Sequence, residues 1–91
     1  MARIIYQDEF DREGLEDMDF NQALRIIKGF MGEENILDAL IAFEKRYEKA
    51  EIEAMNNERG FEFDHEWRYE IYAYNLLVEG FGQLFAPKEA A

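Results

Sequence analysis

The chain is 91 residues long, with 48% hydrophobic and 15% aromatic residues and 21 acidic against 10 basic side chains, a formal charge of −11. That is enough for one folded domain with a small core and too apolar for a disordered chain, while the charge argues against direct contact with nucleic acid or anionic membrane. There is no Cys, Ser or Thr, which excludes disulfides, thiolate metal sites, covalent catalysis by Ser, Thr or Cys, and the Lys-Ser/Thr pair of a phosphate-binding loop.

No run of 18 apolar residues occurs and the N-terminus lacks the pattern of a signal peptide, so a cytoplasmic location without a membrane partner is expected. At the start, Arg3, Ile4, Ile5 and Tyr6 form a β-prone run. It predicts a short N-terminal strand or apolar side chains laid on the core. Residues 7–19 form an acidic segment carrying Asp8, Glu9, Asp11, Glu13, Glu16, Asp17 and Asp19, with Phe10 and Leu15 as the expected pins to the body and the remainder as solvated loop.

The first helix is predicted over 20–31, with Asp19 as N-cap and Gln22 placed to complete a capping box. Phe20, Leu24, Ile27 and Met31 make its apolar face, Ala23, Ile26 and Phe30 widen it, and Gly32 is suited to leave it in a left-handed turn. A second helix is predicted over 34–56. Ile36, Leu40, Phe43, Tyr47, Ala50 and Ala54 step by four and three, flanked by Leu37, Ile41 and Ile52. Asn56 to Gly60 is the clearest break.

After the break two periods compete. Phe61, Phe63, His65, Trp67, Tyr69 and Ile71 alternate with polar residues, which would make 61–71 a half-buried strand in an α+β fold. From Asp64, Trp67, Ile71, Tyr74, Val78, Phe81 and Phe85 keep the helical period where the alternation has failed. A last helix over 64–85 is therefore preferred, capped by Asp64, with Gly80 and Gly82 as places where it could end or kink early. Pro87 marks its limit. The fold class expected is mainly α, three amphipathic helices packed antiparallel in a single domain over 1–87, with 88–91 a disordered tail.

Three constellations bear on function. Glu62-x-x-His65 resembles the Glu-x-x-His by which ferritin-like di-iron proteins present ligands from a helix, with Glu44, Glu48 and Glu51 able to supply facing carboxylates. The chain has one His, so such a site would need a symmetric dimer. A His packed beside Trp67 at a helix start is the simpler reading, and no metal or other cofactor is expected. Glu62, Glu66 and Glu70 form a second pattern, a row of carboxylates four apart. Together with Asp8, Glu9, Asp11 and Glu13 they would compete with a phosphate backbone for a basic protein groove. The third is a surplus of aromatics, including Tyr72 and Phe81, with Leu84 and Phe85, which predicts a partner surface and a homodimer through the last helix.

The expected function is that of a small acidic non-enzymatic protein. It would bind the basic surface of a larger, nucleic-acid-handling protein and inhibit or modulate it, through Asp8, Glu9, Asp11, Glu13, Glu62, Glu66 and Glu70. By analogy of size and charge this suits phages and mobile elements. The alternatives are the metal-binding helical oligomer and a phage assembly subunit.

Overall fold

The computed structural model describes residues 4–57 and 66–85, and only the backbone of 83–85. The described residues are mainly helical, with no strand among them. Among the described residues four helices follow in order: α1 (Glu9–Arg12), α2 (Phe20–Met31), α3 (Ile36–Asn56) and α4 (Arg68–Phe85).

Helix α1 lies where a loop is expected. The Asp8 carboxylate accepts a hydrogen bond from the Phe10 N–H at 2.8 Å, Glu9 and Asp11 stand at its positive end, and Arg12 stands at its negative end. Leu15 behind it is buried as expected, whereas Phe10 is 68% exposed.

Helix α2 has both halves of its capping box. Asp19 accepts from the Gln22 N–H at 2.8 Å, and the Gln22 side chain accepts from the Asp19 N–H at 3.0 Å. It ends at Gly32, whose φ of 67° is the left-handed conformation that the C′ position favours. Helix α3 begins two residues later than its expected start. The Asn35 carboxamide accepts from the N–H groups of both Leu37 and Asp38, and a short amide reaches these better than a Glu side chain can.

Residues 66–71 belong to the helical reading, since Ile71 N–H already donates to the Trp67 carbonyl at 2.8 Å. The strand alternative fails over these residues. A helix lets Ile71, Tyr74 and Leu77 share one buried side, whereas strand alternation would separate Ile71 from Tyr74. The cap predicted at Asp64 lies outside the described residues. Helix α4 continues past Gly80 and Gly82 to Phe85 rather than ending early.

Helices α2 and α4 run antiparallel. Phe20 at the start of α2 meets Phe81 edge-on with ring centroids 5.4 Å apart, and Phe30 near its end meets Trp67 at 5.3 Å. Gly80 permits the first of these contacts, because a Cβ there would stand 2.6 Å from the Phe20 ring. Helix α3 joins the other two through larger side chains. Phe43 stacks on Tyr74 at 4.9 Å and also touches Phe30 and Trp67 at 5.8 and 5.7 Å. Ala23, Ile27, Ala39, Phe43, Ile71, Ala73, Tyr74 and Leu77 are all buried in this shared core.

Residues 4–8 are extended and pair with no strand among the described residues. Ile5 and Gln7 turn inward while Ile4 and Tyr6 turn out. The backbone partner of Ile5 is a side chain: the Asn75 amide bonds to both its N–H and its carbonyl. Asn75 therefore belongs to the packing of the chain, not to its solvated side.

Candidate interaction surfaces

The acidic segment is ordered by its own carboxylates. Asp8 caps α1, Glu16 accepts from the Gly14 N–H at 3.0 Å, and Asp19 caps α2. Backbone bonds from Leu15 to Arg12 and from Met18 to Leu15 close the turns between them. Gly14 has a φ of 84°, which lets the chain reverse after α1. Asp8, Glu9, Glu13, Glu16, Asp17 and Asp19 remain exposed and Asp11 is half-buried. The backbone of residues 8–19 is thus held by three of its own carboxylates, and the other acidic side chains are carried along it.

Glu66 is exposed and Glu70 is half-buried. Asn75 faces the N-terminal segment, and Glu70 stands about 140° around α4 from it at 100° per residue. Glu70 is one turn before Tyr74, on the side that α3 covers. Glu62 and His65 lie outside the described residues. Of the carboxylates expected to face them, Glu44 accepts a hydrogen bond from the Tyr74 hydroxyl at 3.0 Å, Glu51 is half-buried and Glu48 is exposed. Among the described residues no group of three or more His, Cys, Asp or Glu side chains is gathered closely enough to hold a metal ion.

A cleft of about 360 Å³ runs between the N-terminal residues Ile4–Gln7 and the outer side of α4, where Tyr72, Asn75, Leu76 and Glu79 line it, with Arg12 at one side. Gln7 Nε2 donates to the Arg68 carbonyl at 2.6 Å, and its buried Oε1 accepts no hydrogen bond among the described residues. Its walls mix one cation, one anion and apolar side chains, at the small end of the range for ligand sites. Sequence reasoning missed this cleft, since nothing local in residues 4–7 announces that Asn75, far along the chain, will hold them.

The aromatic surplus is divided: among the described residues Phe43, Tyr47 and Tyr74 are buried, while Tyr6, Phe10, Phe20 and Tyr69 are exposed. Phe30, Phe43, Tyr47, Trp67 and Tyr74 form one connected cluster, and the Arg46 guanidinium covers it 4.7 Å from the Phe30 centroid and 5.9 Å from that of Trp67. Tyr72 and Phe81 are half-buried. The large apolar side chains that reach solvent include Tyr6, Phe10 and Tyr69, and a row on α3 made of Leu37, Ile41, Ile52 and Met55. No helix among the described residues is long and apolar enough to cross a membrane.

No family model, curated protein or solved structure matches the chain.

Proposed function

We propose that this chain is a small acidic, non-enzymatic binding protein whose segment 8–19 occupies a basic groove of a larger, nucleic-acid-handling protein and inhibits or modulates it. The observation that carries the reading is the order of that segment. Seven acidic side chains sit on a path fixed by Asp8, Glu16 and Asp19 bonding to backbone N–H groups. A backbone already held in place loses less conformational freedom on binding than that of a free loop, so more of the attraction of its carboxylates for Arg and Lys appears as affinity. A formal charge of −11 on the whole chain adds long-range steering towards a basic partner.

The test is affinity capture from a nuclease-treated lysate with a salt gradient for elution, repeated with Glu9, Asp11 and Glu13 all changed to Lys. The reading expects a DNA- or RNA-binding protein that leaves at moderate salt, because exposed charge pairs are screened within about 10 Å at 0.1 M salt. It expects the charge-reversed chain, with an unchanged far-ultraviolet spectrum, to capture none of it. A partner that stays bound through high salt, or capture unaffected by the reversal, rules the acidic segment out as the binding surface.

A further inference from the structure

Four large apolar side chains on the outer side of α3 are exposed: Leu37 (47%), Ile41 (52%), Ile52 (59%) and Met55 (67%). At about 100° per residue they share an arc roughly 80° wide with Lys45 and Glu48, which are also exposed. The buried side of the helix, with Leu40, Phe43, Tyr47 and Ala54, is turned well away from it.

The order of side chains along this arc is apolar, apolar, Lys, Glu, apolar, apolar. Read from the other end it is the same, with the two central charges exchanged. A second copy of α3 laid antiparallel, with a two-fold axis between Arg46 and Tyr47, sets Ile41 opposite the partner's Ile52 and Leu37 beside the partner's Met55. Lys45 then meets the partner's Glu48, and every contact occurs twice. The steps from Ile41 through Lys45, Glu48 and Ile52 to Met55 are four, three, four and three, the spacing of a coiled-coil seam. A parallel pairing would oppose Lys45 to Lys45 and Glu48 to Glu48, and so is disfavoured by charge.

We propose that α3 is the interface of an antiparallel, two-fold homodimer, with two Lys45–Glu48 pairs setting the register and Leu37, Ile41, Ile52 and Met55 supplying the apolar contact. Pairing through the last helix is the poorer choice, because Ile71, Ala73, Tyr74 and Leu77 of α4 are already buried within one copy. The net charge of each copy opposes association, and a seam along one helix of 21 residues, about 31 Å long, is at the small end for a specific interface. The dimer is therefore reversible and depends on both the charge pairs and the apolar contact. It does not depend on what the acidic segment binds.

Sedimentation equilibrium of the full chain over a micromolar-to-millimolar series tests this. The average mass is expected to rise with concentration from 10.8 kDa towards twice that value. Lys45→Glu alone and Glu48→Lys alone should each weaken association by about tenfold or more. An equimolar mixture of the two variants should associate again, because their charges are complementary across the two-fold axis. That rescue cannot arise from any effect within one chain. Ile52→Glu should leave the protein monomeric with an unchanged helical spectrum. A wild-type mass that stays at the monomer value throughout, a mixture no more associated than either variant alone, or a dimer that survives Ile52→Glu would each overturn the proposal.

Discussion

The Asn75 carboxamide accepts a hydrogen bond from the Ile5 N–H at 2.8 Å and donates one to the Ile5 carbonyl at 2.7 Å, joining positions 70 residues apart. One side chain thus serves both backbone groups that a neighbouring strand would otherwise have satisfied. It anchors the N-terminal residues, which form one wall of the cleft and lead into the acidic segment.

Replacing Asn75 by Leu should cost about 1 to 3 kcal/mol in urea unfolding, since two part-buried backbone groups lose their partner. Asn75→Asp should recover little of this, because a carboxylate can still accept from the N–H but meets the carbonyl with like charge. Amide hydrogen exchange at Ile5 is the local readout. If Ile5 exchanges at the same rate in wild type and Asn75→Leu, the amide clasp is not what holds the segment.

The same substitution should have three different outcomes at three glycines. Gly29 lies inside α2 with nothing within 4 Å of an added Cβ, so Gly29→Ala should stabilise by about 1 kcal/mol, raising Tm by roughly 4 to 8 °C. Gly32 ends the same helix at a φ of 67°, and Gly32→Ala should destabilise by about 1 kcal/mol. At Gly80 the helix gain of about 1 kcal/mol is set against displacing the Phe20 ring from its edge-on contact with Phe81, worth about 0.5 to 1.5 kcal/mol, so the net change should be small. Thermal unfolding followed by circular dichroism decides all three. Equal shifts at Gly29 and Gly32 would contradict the assigned end of α2.

Phe43 is fully buried where α2, α3 and α4 meet, and Phe43→Ala should cost about 3 to 5 kcal/mol. Against a total stability of about 5 to 15 kcal/mol for a small domain, that is enough to leave a substantial unfolded fraction. Tyr74→Phe keeps the stacked ring and removes the hydroxyl with its bond to Glu44, a half-buried residue. Its cost should stay near 1 kcal/mol or below. Denaturant titrations with Trp67 fluorescence as the probe would separate the two, and a comparable loss in both variants would assign the stability to the hydrogen bond rather than to ring packing.

Arg46 lies over the rings of Phe30 and Trp67. Arg46→Ala should cost about 0.5 to 1 kcal/mol and alter Trp67 emission. Arg46→Lys should restore the charge without restoring the flat stacking surface, so its emission should resemble that of the Ala variant. An unchanged spectrum in both would mean that the guanidinium does not cover the cluster in solution.

Helix α2 was legible from residues 19 to 32 because everything that starts and stops it is local. Asp19 and Gln22 are three residues apart, Gly32 follows the last turn, and the apolar face repeats within twelve residues. Local bonds also start α1 at Asp8, although its four residues are too few to show a period. The helical reading of α4 came from a period sustained over five turns, longer than the alternation that competed with it.

The sequence by itself determined the class of the fold, the ends of α2, the acidic character of residues 8–19 and the absence of Ser, Thr and Cys chemistry. Each follows from composition or from bonds between residues a few places apart. Only the tertiary structure decided which of many apolar residues are inside. Leu77 is buried and Ile41 is exposed although each lies within a comparably apolar stretch, because helix periodicity defines a face but not the width that neighbours will cover. The same holds for Asn75, a polar residue whose role depends on a backbone 70 positions away.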